Sequence, residues 1–291
     1  MKVESGSHRV CPGNSPGAPP VVAHRSKWTR GERADMETVI HDGRETAYRL
    51  ARPGGAGPTA LYVHGSGGTH RVWAAQYGPG GPTHPAAALD LSGHGASEDV
   101  GTEPGTLRAY AEDVDAVARA VGADVLVGNS LGGAVVQHVL LECEYDPAGA
   151  VLAGSGAKLA VREDLRTWLA EDFERAVEAL HGADRLFHDA DGETEARSRE
   201  TVHEVGRAVT ERDFLTCHTF DVRDRVGELA VPLLALVGEY DRLTPRSYHE
   251  YYAEHAPRAR LAVVEDAAHL AMAEQPGAFN RAVATFLAEA L

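Results

Sequence analysis

The chain has 291 residues, 43% of them hydrophobic and 6% aromatic, which is enough to bury one large core or two small ones. Its formal net charge is −15, and only three of its 28 basic residues are lysine. This acidic balance argues against nucleic-acid and membrane-surface partners, since both need clusters of positive charge. The same composition is typical of a salt-adapted, halophilic source or of a GC-rich genome.

Cysteine content and hydropathy indicate the compartment. Three cysteines are too few for a disulfide framework in a chain of this length, and an odd count fits a reducing compartment. No run approaches the roughly 18 apolar residues that a membrane span needs, and the first residues lack the apolar segment of a signal peptide. We therefore expect a cytoplasmic protein, monomeric or homodimeric, whose partner is a small-molecule substrate.

The first 35 residues differ from the rest of the chain. They carry six basic and three acidic side chains, and the segment CPGNSPGAPP is rich in turn formers without hydrophobic periodicity. We interpret residues 1–35 as a disordered tail or an upstream extension.

From Met36 onward, strand and helix patterns alternate. ETVIH and RETAYRL flank Asp42-Gly43, which predicts a hairpin closed by a tight turn. The segments that follow predict, in chain order, the strands TALYVHG and PAAALDL, the helix TLRAYAEDVDAVARAVG, the strand DVLVGN, the helix SLGGAVVQHVLLEC and the strand GAVLAG. Such alternation predicts an α/β fold with a mostly parallel central sheet flanked by helices.

Residues 156–231 interrupt this alternation with helical patterns and no clear strand. The segment LRTWLAEDFERAVEAL places apolar side chains at helical spacing on one face. Thr210 and Asp213 resemble a capping box at the start of the last of these helices. We predict that this segment is a helical insertion.

The α/β pattern then returns to the end of the chain. PLLALVG and RLAVVE are apolar strand patterns, separated by a predicted helix near residues 246–255 and followed by a closing helix from about residue 277. We therefore expect residues 36–155 and 232–291 to form one α/β core.

In the segment VLVGNSLGG, a serine lies among glycines that are unfavourable for both a strand and a helix. Gly128-Asn129-Ser130-Leu131-Gly132 fits the pattern G-x-S-x-G between a predicted strand and a predicted helix. Glycine at positions 128 and 132 removes side chains that would clash in a sharp turn, and a helix N-terminus favours developing negative charge. A chain with 31 glycines can match this pattern by chance, but the flanking strand and helix favour a nucleophilic Ser130.

A serine nucleophile needs a histidine base, an acid that orients the histidine, and N–H groups that bind an oxyanion. Two loops offer these groups: Glu239 and Asp241 follow the strand LLALVG, and Asp266 and His269 follow the strand LAVVE. Both loops come directly after strand ends, where open α/β sheets place their ligands. A lone turn acid is usually a surface residue, so it is the pairing with the His269 loop that favours Asp241.

Five segments in this order resemble the α/β-hydrolase fold superfamily, namely HGSGG, DLSGHGAS, GNSLGG, GEYDRLTP and DAAHLAMAEQP. The resemblance implies an α/β-hydrolase fold in which residues 156–231 form a helical cap over the site. Carried over to this sequence, it implies Ser130 as nucleophile, His269 as base and Asp241 as the orienting acid. The implied oxyanion hole consists of the backbone N–H groups of Ser66 and Leu131. The family commonly has glycine before the catalytic histidine, where this chain has Ala268.

Three aromatic residues are candidates for the substrate pocket. Trp73 follows the HGSGG segment, and Trp168 and Phe173 lie on the apolar face of the predicted cap, although core packing is the alternative for each. We predict no metal site, because Cys217-His218 has no second pair of ligands, and no cofactor.

These features predict a serine hydrolase that cleaves a small, neutral ester through an acyl-enzyme, as carboxylesterases do. The neutral substrate is favoured because the predicted cap has few cationic clusters. The same triad serves C–C bond hydrolases, thioesterases, acyltransferases and perhydrolases, and the fold also occurs in non-catalytic ligand receptors. These activities stay open as alternatives.

Overall fold

The computed structural model describes residues 36–101 and 105–290, so the predicted tail, residues 1–35, lies outside the described residues. Eight strands form one sheet in the order β1-β2-β4-β3-β5-β6-β7-β8. The strands are β1 (Glu37–His41), β2 (Arg44–Ala51), β3 (Ala60–Val63), β4 (Ala86–Leu89), β5 (Val125–Asn129), β6 (Gly149–Ala153), β7 (Leu233–Gly238) and β8 (Ala259–Val264). β2 is antiparallel to β1 and β4, and every other pair is parallel.

Helices connect the parallel strands. The α-helices of the described residues are α1 (Ala74–Tyr77), α2 (Thr106–Val121), α3 (Leu131–Glu142), α4 (Glu163–Glu171), α5 (Phe173–Leu180), α6 (Gly192–Val205), α7 (Arg207–Thr219), α8 (Arg246–His255), α9 (Ala271–Glu274) and α10 (Pro276–Ala290). Short 3₁₀ helices span His70–Trp73 and Arg223–Glu228. None of these helices is both long and apolar enough to cross a membrane.

The predicted N-terminal hairpin is confirmed. β1 and β2 pair with Glu37 opposite Tyr48 and His41 opposite Arg44. The two turn residues have φ values of 46° at Asp42 and 78° at Gly43, as a two-residue turn needs to match the strand twist. Asp-Gly is therefore the local cause of the turn, because both residue types tolerate positive φ.

The core lies on both faces of the sheet, as the fold class predicts. Successive residues of β5 enter opposite clusters: Leu126 packs in one, and Val125 and Val127 pack in the other. β3 to β7 are buried along their whole length, which explains why their sequences are nearly continuous runs of apolar residues. Each large buried side chain contributes roughly 1.5–3 kcal/mol to folding by leaving water.

The helices α4 to α7 lie between β6 and β7 in the chain. The predicted capping box at Thr210 and Asp213 is wrong, because α7 begins at Arg207 and both residues are inside the helix. Gly206, with a φ of 84°, separates α6 from α7 and precedes the first turn. The side chain of Asp213 is completely buried against the α/β core rather than bonded to its own helix terminus.

Candidate active site

Ser130 lies in a sharp turn between β5 and α3, with φ of 54° and ψ of −117°, a conformation that residues other than glycine rarely adopt. A Cβ atom added at Gly128 would lie 2.3 Å from the carbonyl oxygen of Gly132. One added at Gly132 would lie 2.3 Å from the carbonyl oxygen of Val63. Both glycines are therefore required by close backbone approach, as the G-x-S-x-G pattern predicts.

The strained turn is held by hydrogen bonds to the neighbouring strand β6. The Ser130 N–H donates to the carbonyl of Ala153 (3.0 Å), and the Ser155 hydroxyl donates to the carbonyl of Ser130 (2.9 Å). The Asn129 amide also donates to the carbonyl of Ala153 (3.2 Å). These bonds compensate the strain and leave the Ser130 side chain partly exposed beside the N-terminus of α3.

The structure places His269 beside Asp241. Nδ1 of His269 lies 2.9 Å from Oδ2 of Asp241, which also accepts a 2.7 Å hydrogen bond from the Thr244 hydroxyl. Oδ1 accepts from the backbone N–H groups of Leu243 and Thr244, both at 2.8 Å. Burial alone would raise the pKa of Asp241, but the interactions with His269 and Thr244 outweigh it and hold this pKa below its ordinary value. Asp241 is therefore a carboxylate, so Nδ1 of His269 carries its proton and Nε2 is left for proton transfer.

Ser130 and His269 line one cavity of about 1180 Å³, and Asp241 lies behind the histidine. None of the hydrogen bonds among the described residues joins the Ser130 hydroxyl to His269, a contact that is often long in the absence of substrate. The main-chain N–H of His269 donates to the carbonyl of Arg185 (3.2 Å), which ties the histidine loop to the segment between α5 and α6.

Residues 65–68, which we call the oxyanion loop, lie beside the serine turn. A Cβ atom on Gly65 would be 3.1 Å from Cβ of Ser130. The loop is a tight turn closed by a hydrogen bond from the Gly68 N–H to the Gly65 carbonyl (3.1 Å), and Ser66 lines the cavity. Within residues 36–101 and 105–290, the N–H groups of Ser66 and Leu131 donate no hydrogen bond. The predicted oxyanion hole therefore consists of two N–H groups without a partner in these residues.

The three aromatic side chains predicted for the pocket do not line this cavity. Trp73 is fully buried in the core, with ring centroids 5.0 Å from Tyr62 and 5.9 Å from Phe279. Trp168 lies under the guanidinium of Arg175, and Phe173 packs edge-on against His203. The prediction is wrong because sequence spacing does not show which side of a helix faces the cavity.

The apolar lining comes from residues that sequence reasoning missed. Examples are Val161, Leu165, Leu186, Phe187, Phe214, Leu243 and Tyr248. They belong to separate helices and connecting segments, and no motif links them. Their only common signal is that all except Leu243 and Tyr248 fall in the predicted cap.

Charged groups also line the cavity, beside the few cationic clusters that the sequence predicted for the cap. Five arginines contribute to the lining, namely Arg71, Arg162, Arg185, Arg197 and Arg242. Four of them pair with carboxylates: Arg71 with Glu204, Arg162 with Asp164, Arg197 with Glu193 and Arg242 with Asp184. Much of the positive charge at the cavity wall is thus balanced by acidic neighbours.

Two buried histidines near the site are neutral. His64 accepts a hydrogen bond from the Leu91 N–H at Nε2 (3.0 Å) and donates from Nδ1 to the Gly65 carbonyl (2.8 Å), so it holds its glycine turn. His249 accepts from the Ser155 N–H at Nε2 (3.1 Å). Burial lowers the pKa of each ring to about 4.

We expect these two rings to destabilise the fold at acidic pH. In the unfolded chain they gain protons below about pH 6.5, whereas in the folded chain they stay neutral down to about pH 4. The unfolded state binds more protons in this window, so the free energy of unfolding falls as the pH drops, on the order of 2 kcal/mol per ring. Urea unfolding at pH 7 and pH 5 measures the loss. His249→Gln, which keeps an acceptor for Ser155 without titrating, should reduce it, and an equal loss in this variant would contradict the assignment.

No group of three or more His, Cys, Asp or Glu side chains in the described parts of the chain is arranged to hold a metal ion.

Residues 60–282 match the sequence profile of the alpha/beta hydrolase family. The chain belongs to this family. A pimeloyl-[acyl-carrier protein] methyl ester esterase of Sodalis glossinidius is 30% identical over 242 residues, covering 78% of this chain and 92% of the relative. The corresponding esterase of Photorhabdus laumondii is 29% identical over 243 residues, covering 75% and 88%.

Solved structures show the same alpha/beta hydrolase fold. A thermophilic esterase is 30% identical, with a TM-score of 0.77 over 88% of this chain and 98% of the other. An enzyme that degrades N-acyl homoserine lactones is 25% identical, with a TM-score of 0.75 over 86% and 99%. The structural similarity thus extends over most of this chain and nearly all of each solved structure.

Proposed function

We propose that this alpha/beta hydrolase cleaves carboxylic esters of small molecules through a serine acyl-enzyme. The observation that carries the proposal is the cavity shared by His269 and by Ser130 on its strained turn, together with the hydrogen bond between His269 and Asp241. The relatives named as esterases support an ester as the substrate class. The paired arginines and the apolar lining of the cavity support a neutral substrate.

The proposed reaction has two half-reactions at Ser130. Nε2 of His269 takes the hydroxyl proton while Oγ attacks the ester carbonyl, and the Asp241 carboxylate stabilises the imidazolium that forms. The N–H groups of Ser66 and Leu131 bind the tetrahedral oxyanion, and each such donor is worth about 10²- to 10³-fold in rate. The imidazolium then protonates the leaving alcohol. Water activated by the same histidine releases the acid and regenerates the serine.

The first experiment combines covalent labelling with ester turnover. We expect a fluorophosphonate probe to modify Ser130, located by peptide mass spectrometry, and p-nitrophenyl esters of increasing chain length to be hydrolysed until they exceed the cavity. A p-nitrophenyl monoester of a dicarboxylic acid tests the charge of the substrate: a preference for it over the neutral ester of equal length would contradict a neutral substrate. Labelling of Ser130 without hydrolysis of any ester would contradict ester hydrolysis and favour a thioester, C–C bond or acyl-transfer reaction.

A further inference from the structure

One face of α7 lies against the oxyanion loop. Thr210, Asp213 and Cys217 have the spacing of one helix face, and each contacts the loop or would contact an added atom there. A Cβ atom on Gly67 would lie 3.2 Å from Oγ1 of Thr210, and Oγ of Ser66 lies 3.7 Å from Sγ of Cys217. A helix between β6 and β7 therefore forms the outer support of a loop that belongs to the α/β core.

The strongest contact is made by the carboxylate of Asp213. Oδ2 accepts a 2.9 Å hydrogen bond from the Gly67 N–H and lies 2.8 Å from Nε2 of His94. Oδ1 accepts a 2.7 Å hydrogen bond from the Tyr110 hydroxyl. Asp213, His94 and Tyr110 are each 0% exposed. Three donors from three different segments thus converge on one carboxylate without competition from water.

Hydrogen-bond chemistry determines the charge of this cluster. Nδ1 of His94 lies 3.2 Å from the carbonyl oxygen of Ser92, and Nε2 faces Asp213. Both partners only accept, so both ring nitrogens donate and His94 is an imidazolium. Burial alone would lower the pKa of His94, but the Asp213 carboxylate raises it above its ordinary value. Burial alone would raise the pKa of Asp213, and His94 outweighs this effect.

Other polar groups around the pair leave this charge balance intact. The groups that face it are the neutral ring of His64 (4.7 Å between ring centroids), the Tyr110 ring, the buried Asp90 and Arg212. Arg212 donates from Nε to the Tyr110 hydroxyl (3.3 Å) and from its other nitrogens to the Ser92 carbonyl and to Asp99, so it makes no direct ion pair with Asp213 among the described residues. Asp213 and His94 are therefore each other's principal charge partners.

We propose that Asp213 is a positioning residue for the oxyanion hole, and that the charged His94 keeps its carboxylate in place. The oxyanion loop contains three glycines, so its own sequence restricts its backbone little. The bond to the Gly67 N–H fixes the peptide between Ser66 and Gly67. That peptide is joined to the Ser66 N–H only through the two dihedral angles of Ser66, so fixing it restricts ψ of Ser66 and with it the directions in which the Ser66 N–H can point. The inference rests on the proposed function, since it assigns the Ser66 N–H to the oxyanion.

The test compares steady-state kinetics of variants on the p-nitrophenyl ester that the wild type hydrolyses best. Asp213→Ala should lower kcat by about 10- to 100-fold and leave KM within about threefold of the wild type. The loss in kcat should not exceed the loss that follows removal of one oxyanion donor. An oxyanion hole acts in the transition state, so the effect belongs in kcat. Thr210→Val is the matched control on the same helix face. The Thr210 hydroxyl has no hydrogen-bond partner among the described residues, so kcat should stay within about twofold.

A folded Asp213→Ala variant with the kcat of the wild type would overturn the proposal, as would a loss confined to KM. If Asp213→Ala does not fold, Asp213→Asn decides. Its neutral amide loses the charge pairing with His94 that keeps the side chain in place, and its amide nitrogen replaces one of the two accepting oxygens, so kcat should fall by about tenfold. An unchanged kcat would overturn the proposal. Labelling of Ser130 in the wild type distinguishes the positioning role of Asp213 from the proposed function. If the wild type is labelled and active while the Asp213 variant keeps its kcat, only the positioning role is refuted. A wild type that hydrolyses no ester refutes the proposed function and this inference with it.

Discussion

Replacing Ser130 by alanine is expected to lower kcat for ester hydrolysis by about 10⁶-fold, the loss seen when a serine nucleophile is removed from a comparable triad. The variant lacks the only oxygen on this side chain that can form the acyl-enzyme. The fold should be kept, because the Ser130 hydroxyl makes no hydrogen bond among the described residues, while the backbone bonds to Ala153 and Ser155 are unchanged.

The measurement needs a sensitive assay and a check on folding. Turnover of a p-nitrophenyl ester and labelling by a fluorophosphonate should both be lost, while the melting temperature and the binding of a non-hydrolysable substrate amide persist. Residual turnover within about 100-fold of the wild type, with no labelled contaminant, would mean that Ser130 is not the nucleophile. Retained ligand binding with no ester turnover in the wild type would instead favour a receptor.

Replacing Asp241 by asparagine is expected to lower kcat by about 10⁴-fold, as when the orienting aspartate of a serine protease is replaced. The asparagine oxygen can still accept from Leu243 and Thr244, so the loop should keep its shape. Its amide nitrogen would then face Nδ1 of His269, which must become an acceptor, so the proton moves to Nε2. In that tautomer the histidine cannot take the proton of Ser130.

Glu239 supplies the matched control for this prediction. It follows the same strand, but it is exposed, and within the described parts of the chain its carboxylate accepts only a 3.3 Å hydrogen bond from the Asp266 N–H. Glu239→Gln should leave kcat within about twofold. A large loss in this variant together with a small loss in Asp241→Asn would show that the orienting acid has been assigned to the wrong residue of the loop.

Local sequence signals located the elements whose geometry is set by nearby residues. Asp42-Gly43 predicted the hairpin because these residues tolerate positive φ, and both adopt it. Gly128 and Gly132 predicted the serine turn because no side chain fits between its strand and its helix. The succession of strands and helices along the chain followed from alternating patterns. The positions of Asp241 and His269 followed from strand ends that meet at one edge of the sheet.

Contacts between distant segments were decided by the tertiary structure alone. Thr210 and Asp213 have the spacing of a capping box, yet packing of α7 on the core turns Asp213 toward Gly67, which lies 146 positions away in the chain. Trp73 follows the oxyanion loop closely in sequence, but its short helix directs it into the core beside Phe279.

The charge of the cavity wall was decided in part in the same way, because Arg71 and Arg242 meet Glu204 and Asp184 only after distant segments pack. The pairs Arg162–Asp164 and Arg197–Glu193 are local in sequence. Turns and strand ends depend on backbone geometry that a few adjacent residues determine, so the sequence by itself predicts them. Which face of a helix meets a cavity depends on the packing of the whole chain, and no short segment carries that information.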